Sequence, residues 1–168
     1  ASTYSSFFPR CICHNTKKSK VRAVISLGAN LGEPRKQIED AIDLLRKEFT
    51  IVAESQLRET EPVDAPGQPH YLNGVVIIES ELLPLDLLRK LLEIELLGGR
   101  MRSIKNAART IDLDLIAYGE IFIESTDLTL PHPRAHQRKF VLEPWYEIEP
   151  MATLPGYGPV KELLRRLQ

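Results

Sequence analysis

Two aspartates separated by a single leucine, Asp112 and Asp114, are the residues of this 168-residue chain whose type and spacing most suggest chemistry. In a strand, residues two apart share a face, so the carboxylates point the same way while Leu113, Leu115 and Ala117 point into the core. Adjacent anions repel unless a cation neutralises them. Hard carboxylate oxygens suit Mg²⁺, which is commonly held by one or two such groups together with substrate phosphates. A solvated edge strand with two harmless acids would read the same way in isolation. The neighbourhood narrows the choice. Arg100, Arg102, Lys105 and Arg109 precede the pair in a polar loop led by glycine, and guanidinium groups match phosphate oxygens two at a time. Acids and cations together read as a site for a polyphosphate held between arginines and Mg²⁺. A self-compensating surface salt-bridge cluster has the same composition.

Three further groups accompany this one. Glu95 lies three residues after Leu92 and four after Leu91, on the apolar stripe of its helix, where a carboxylate needs a partner. It either binds a nucleotide or pins the loop that follows. The segment 130–140 (LPHPRAHQRKF) holds His132, His136 and Arg138. Its prolines argue against a regular helix that would pair the histidines on a metal, so cationic donors in a loop fit better. The loop 60–73 (TEPVDAPGQPHYLN) ends at Tyr71 and Asn73, which share a strand face. An aromatic plate beside an amide suits a flat, hydrogen-bonding heterocycle, and also an ordinary strand end.

The elements that must hold these residues follow from periodicity. The run 21–27 (VRAVISL) reads as a buried strand stopped at Gly28, and Pro34 suits the first position of a helix whose stripe is Ile38, Ala41, Ile42, Leu45 and Phe49. Thr50 to Arg58 reads as a second strand with Ile51, Ala53, Ser55 and Leu57 on one face. Residues 71–80, with an unbroken VVII core, read as a third strand buried on both faces. Residues 84–97 form a helix closed by Gly98-Gly99, and 111–118 a fourth strand. The order β-α-β-β-α-β implies an α+β, ferredoxin-like core, an antiparallel sheet with helices on one face. A short strand and helical pieces follow, the last marked by Val160, Leu163, Leu164 and Leu167.

Composition sets limits. The net charge of −1 is unevenly spread: residues 1–22 hold five basic side chains and no acid. A flexible basic tail over 1–20, ahead of one acidic domain over 21–168, is expected. Both cysteines, Cys11 and Cys13, fall in the tail, which excludes a disulfide framework and suits a reducing, cytoplasmic setting. Cys11-x-Cys13-His14 offers too few ligands, too tightly spaced, for a metal site. No apolar run reaches membrane-spanning length. An RNA-binding module on the same topology would show exposed aromatics on its strands and a basic body, whereas these strands are aliphatic and this body acidic. Neither a nucleic-acid nor a membrane partner is expected.

GANLG (28–32), TEPV (60–63), QPHYLN (68–73), IELLGGRMR (94–102), RTIDLDLIAYG (109–119) and LPHPRAHQRKFVLEP (130–144) occur in the order and spacing of one family. The chain from about Val21 onwards resembles 6-hydroxymethyl-7,8-dihydropterin pyrophosphokinase of folate biosynthesis. The resemblance implies transfer of the β,γ-pyrophosphoryl unit of ATP to the hydroxymethyl group of the dihydropterin, giving AMP. It implies that Asp112 and Asp114 hold two Mg²⁺ ions, that Arg100 and Arg109 act with them, and that Glu95, Arg100, Arg102, Arg109, His132 and Arg138 contact ATP. The pterin would lie between Tyr71 and Phe140, hydrogen-bonded by Asn73 and by backbone at Thr60 and Val63. A monomer, or one domain of a larger folate-pathway polypeptide, is the expected form. One motif departs from the family pattern: where relatives carry Trp-Gly-Pro before R-T-x-D-L-D, this chain has Lys105-Asn106-Ala107-Ala108. The ring that would cap the closed site is missing, and Trp145 is too far along the chain to replace it by sequence.

Overall fold

A computed structural model describes residues 19–61, 67, 69–98 and 110–168. The expected basic tail therefore lies outside the described residues but for its last two positions, and so do Val63, Arg100, Arg102, Lys105 and Arg109. Strand β1 (Val21–Ala29) is followed by helix α1 (Pro34–Glu48), strands β2 (Thr50–Glu54), β3 (Arg58–Thr60) and β4 (Tyr71–Ser80), helix α2 (Pro84–Leu97) and strand β5 (Asp112–Tyr118). The sheet runs β2-β4-β1-β5, with β3 also paired to β4, and every pairing is antiparallel. Two short strands, β6 (Ile123–Glu124) and β7 (Thr129–Leu130), pair with each other. After them come a 3₁₀ turn (Ala135–Gln137), helix α3 (Lys139–Ile148), the hairpin β8 (Thr153–Leu154) and β9 (Gly158–Pro159), and helix α4 (Val160–Arg166).

Both long helices start at a proline, whose fixed φ is already helical and whose missing N–H costs nothing in the first turn. In α1, Ile38, Ala41, Ile42 and Leu45 are buried as expected, and Arg46 and Lys47 sit in the last turn, where cations complement the helix dipole. In α2 the buried stripe is Leu87, Leu91, Ile94 and Glu95. These two stripes pack on one face of the sheet with Ala23, Ile25, Leu27, Val76, Ile78, Leu113 and Leu115.

α1 and α2 share one face, as expected of the core, and the other face is not bare, as expected from the two-sided burial of β4. Val141, Leu142 and Trp145 of α3 and Val160 and Leu163 of α4 close over Val24, Val75, Ile77, Ile116 and Ala117 in a second core. The two buried faces explain why seven consecutive residues of β4, Leu72 to Ile78, are buried.

Four local expectations change. β1 does not stop at Gly28 but runs to Ala29, because Gly28 pairs with Asn73 on one side and Asp112 on the other. The single face drawn through Ile51, Ala53, Ser55 and Leu57 is broken: Ile78 opposes Ile51 and Ile77 opposes Ala53, so Val52 is an extra residue. Ile51 then packs against the first core and Ala53 against the second. Ile116 is likewise unpaired with β1, since Val24 opposes Ala117 and Ile25 opposes Leu115. Leu113 and Leu115 face the first core as expected, whereas Ala117 is turned into the second. At the chain's end Leu167 falls outside α4 and is 37% exposed.

Candidate active site

The second sheet face changes character along the strands. One row, Ile77–Val24–Ala117, is apolar and covered by α3. The next is Val75–Ser26–Asp114, and the last is Asn73–Gly28–Asp112. Asp112 and Asp114 both lie on this face, half-buried, with Leu113 between them turned to the opposite core. The sequence argument for a shared carboxylate face is borne out by this register.

The motif segment 130–140 closes over Asp114 from above. Its anchor is the bulged Ile116, whose carbonyl accepts the His132 N–H at 2.8 Å. Arg138 comes from the turn before α3, and its Nη1 donates to Asp114 Oδ2 at 3.1 Å. The same guanidinium lies over the Phe140 ring, 5.5 Å from its centroid. His132 Nδ1 accepts the Arg134 N–H at 3.1 Å, which leaves Nε2 to carry the proton of the neutral ring. Burial holds the His132 pKa below the usual histidine value; Asp114 opposes this, and Arg138 and Arg134 reinforce it. The ring is therefore a neutral donor near pH 7.

At the far end of the same row, Asn73 is buried and its Nδ2 donates to Thr60 Oγ1 at 2.6 Å. Tyr71 shares that face and is half-buried. Tyr71, Asn73, Thr60 and Phe140 thus come from the β3–β4 pair and from the start of α3, the elements that border the open end of this face.

Glu95 is placed differently. It is 1% exposed, and its Oε1 accepts the Leu113 N–H of the edge strand β5 at 2.7 Å. The loop it was expected to pin lies outside the described residues; what Glu95 holds is the strand between the two aspartates. Trp145 is 2% exposed, packed in the second core, with Nε1 donating to Glu149 Oε2 at 3.0 Å. It caps nothing. Among the described residues, no group of three or more His, Cys, Asp or Glu side chains converges on a metal position. A groove of about 310 Å³ between α1 and α2, lined by Gln37, Asp40, Leu44, Ile94 and Leu97, belongs to the other side of the sheet.

The described geometry can be set beside known proteins. Residues 24–150 match the family model of 7,8-dihydro-6-hydroxymethylpterin-pyrophosphokinase. The chain belongs to this family. A 2-amino-4-hydroxy-6-hydroxymethyldihydropteridine pyrophosphokinase of Pseudomonas aeruginosa is 39% identical over 145 residues, covering 85% of this chain and 90% of the relative. The folic acid synthesis protein fol1 of Schizosaccharomyces pombe is 37% identical over 157 residues, but only 21% of its length is matched. Among solved structures, wild-type HPPK-DHPS of Plasmodium falciparum superposes with a TM-score of 0.71 at 15% identity, which shows a shared fold. That match covers 90% of this chain and 42% of the other, so the chain spans less than half of that solved polypeptide.

Within the candidate site, the sequence reading missed the floor. Ser26 and Gly28 stand between the carboxylates and Asn73, yet GANLG entered only as a motif. The signal was present in β1, where Ala23, Ile25 and Leu27 alternate with Val24, Ser26 and Gly28. Gly28 leaves the floor flat: a Cβ there would stand 3.0 Å from Asn73 Oδ1. Asn30, 3% exposed, adds a bond from Nδ2 to the Pro69 carbonyl at 3.4 Å, which ties the end of β1 to the loop before Tyr71.

Proposed function

We propose that this chain transfers the β,γ-pyrophosphoryl group of ATP to the hydroxymethyl oxygen of 6-hydroxymethyl-7,8-dihydropterin. A bond forms between that oxygen and the β-phosphorus, the bond from the β-phosphorus to the α,β-bridging oxygen breaks, and AMP leaves. The hydroxyl proton passes to solvent, directly or by way of one of the two aspartates. Family membership supports the reaction, and one observation carries it to these residues. Asn73 and Asp112 flank Gly28 in a single row across three strands, roughly 10 Å at the usual strand spacing. A flat bicyclic acceptor fixed at Asn73 reaches along a floor without side chains towards the carboxylates.

Asp112 and Asp114 suit Mg²⁺ by their chemistry: two hard oxygen donors on one face, with too few further ligands among the described residues for a closed site. Mg²⁺ bound there would neutralise charge on the transferred phosphoryl groups. The chain's own groups do the rest. Arg138 and neutral His132 offer donors to phosphate oxygens beside Asp114. Arg100, Arg102 and Arg109 are read as further phosphate ligands, and Glu95 as acting in the nucleotide half through its hold on Leu113. Tyr71 and Phe140 would sandwich the pterin, Asn73 would hydrogen-bond its edge, and backbone at Thr60 and Val63 would complete the ring's contacts. Positioning and charge neutralisation suffice for in-line transfer, with no strong base required.

The strand order β2-β4-β1-β5, with α1 and α2 as crossovers, supports reading the core as ferredoxin-like. A cysteine-free body over 21–168 fits a reducing cytoplasm, and no described helix is long and apolar enough to cross a membrane. We read the unit as working alone or as one domain of a longer folate-pathway polypeptide. The test is direct. Protein, ATP, Mg²⁺ and the hydroxymethyl dihydropterin should yield AMP and the diphosphate ester, and Asp112→Ala should abolish both while remaining folded. No AMP above background refutes the proposal.

A further inference from the structure

The motif 130–140 contains a second histidine that the proposed reaction does not use. His132 and His136 do not converge as a metal pair. His132 Nδ1 takes the Arg134 N–H, whereas the His136 ring stacks on Tyr157 with centroids 4.3 Å apart and planes 15° from parallel. His136 Nδ1 is buried without a hydrogen-bond partner among the described residues. No hydrogen bond at that nitrogen orients the ring; the stack does.

We propose that the Tyr157–His136 stack is a positioning device for Arg138 and, through it, for the nucleotide half of the site. The inference rests on the pyrophosphoryl-transfer reading only for the identity of the ligand. Its physical basis is a chain of contacts. Tyr157 comes from the turn between β8 and β9, which passes through Gly156 at φ +76°. Phe122 lies so close over this turn that a Cβ on Gly156 would stand 2.9 Å from its Cε1. The turn is held between Phe122 on one side and His136 on the other.

From His136 the constraint passes to the backbone. Ala135 N–H donates to the His132 carbonyl at 3.0 Å, Gln137 N–H to that of Arg134 at 3.1 Å and Arg138 N–H to that of Ala135 at 3.1 Å. Residues 132–138 thus form one bonded run of turns, with buried Ala135 as its pivot. A rotation of the segment about Ala135 would carry Arg138 Nη1 away from Asp114 Oδ2. Tyr157 is itself 40% exposed, while Leu154, Pro155 and Val160 are buried and anchor the hairpin without it. Loss of its ring therefore loosens the turn more than it weakens the core.

The test compares Tyr157→Ala, Tyr157→Leu and Tyr157→Phe in the full chain. Affinity for a non-hydrolysable Mg-ATP analogue and for the pterin is measured by calorimetry, beside KM for ATP, kcat and the thermal midpoint. The alanine and leucine variants should weaken analogue binding and raise KM for ATP roughly tenfold, the order expected for a misplaced contact group. Pterin affinity should stay within about twofold, and Tyr157→Phe, which keeps a stacking ring, should behave as wild type. Unchanged analogue binding, an equal loss for the pterin, or a phenylalanine variant as impaired as alanine each overturns the proposal. If the alanine variant does not fold, the leucine variant decides by the same readouts. A wild-type protein that binds the analogue yet forms no AMP refutes the transfer reaction while binding still judges the stack. One that does not bind the analogue overturns both.

Discussion

Replacing Asp114 by asparagine should separate a chemical role from a structural one. The Asp114–Arg138 contact is 3.1 Å, with the side chains 34% and 20% exposed. Coulomb attraction at that distance is about 5 kcal/mol at an effective dielectric of ~20. Solvent screening and side-chain ordering reduce such a half-exposed pair to a net contribution of roughly 0–1 kcal/mol. Against that loss stands relief of repulsion from Asp112, about 7 Å away along the strand, worth about 0.6 kcal/mol in water and roughly 2 kcal/mol at the lower dielectric. The two effects offset each other, so the ligand-free variant should keep its stability within about 1 kcal/mol. That corresponds to a thermal midpoint within roughly 2–4 °C of wild type. Catalysis should respond differently. Halving the carboxylate charge that would hold Mg²⁺ against the phosphates should lower kcat/KM about a thousandfold, roughly 4 kcal/mol. Fluorescence of buried Trp145 reports unfolding, and separation of AMP from ATP reports turnover. Activity within about tenfold of wild type, or a loss of stability beyond about 2 kcal/mol, would refute the reasoning, because the pair would then be structural.

Glu95→Ala should lower stability by about 1–3 kcal/mol, since it strips the Leu113 N–H of its buried acceptor. The urea midpoint should fall, and an unchanged midpoint contradicts the pinning role. Glu95→Gln keeps an acceptor oxygen at that place and should recover part of the loss. His132 gives a pH signature: burial depresses its pKa below 6.5, so in mild acid the unfolded chain binds the proton more readily than the folded one. Stability should decline as pH falls below that value and level off beneath the folded pKa. His132→Gln should flatten this component as pH falls through the usual histidine value in urea titrations, and an identical slope in both proteins would count against it. Gly28→Ala places a Cβ 3.0 Å from Asn73 Oδ1. Pterin affinity should drop about tenfold while Mg-ATP affinity stays within about twofold; calorimetry that finds both or neither affected removes Gly28 from the floor.

Much of this site was legible because period and punctuation are local. Alternation alone put Asp112 with Asp114 on one strand's face and Tyr71 with Asn73 on another's, and the prolines at 34 and 84 marked both helix starts. What escaped depends on a single extra residue or on distant packing. Val52 and Ile116 each interrupt the period of two, and nothing in an aliphatic run says where a bulge will fall. Ala117 and Ala53 were therefore assigned to the wrong face. Gly28 looked like a stop because glycine is rare inside strands. It is tolerated because Asn73 Oδ1 crowds the space its side chain would take. The Tyr157–His136 stack joins two turns far apart in sequence, and no spacing rule connects them.

The limits of the second core explain why the site opens where it does. Along the strands, the row Ile77–Val24–Ala117 is wholly apolar, the next gains Ser26 and Asp114, and the last holds Asn73, Gly28 and Asp112. An aliphatic helix face laid over the polar rows would take the Asp112 and Asp114 carboxylates out of water, at several kcal/mol. The sequence of α3 changes at the matching level. Val141, Leu142 and Trp145 cover the apolar row, and one turn earlier Phe140 and Arg138 take their place, Arg138 meeting Asp114 directly. The helix therefore begins where the sheet stops being hydrophobic, and its N-terminal end, which carries the positive pole of the peptide dipoles, adjoins the carboxylate row. On the proposed reading, the triphosphate of ATP would lie at that boundary, drawn by the helix end and Arg138 together. The flat floor at Gly28 then gives an uncharged ring a path towards it.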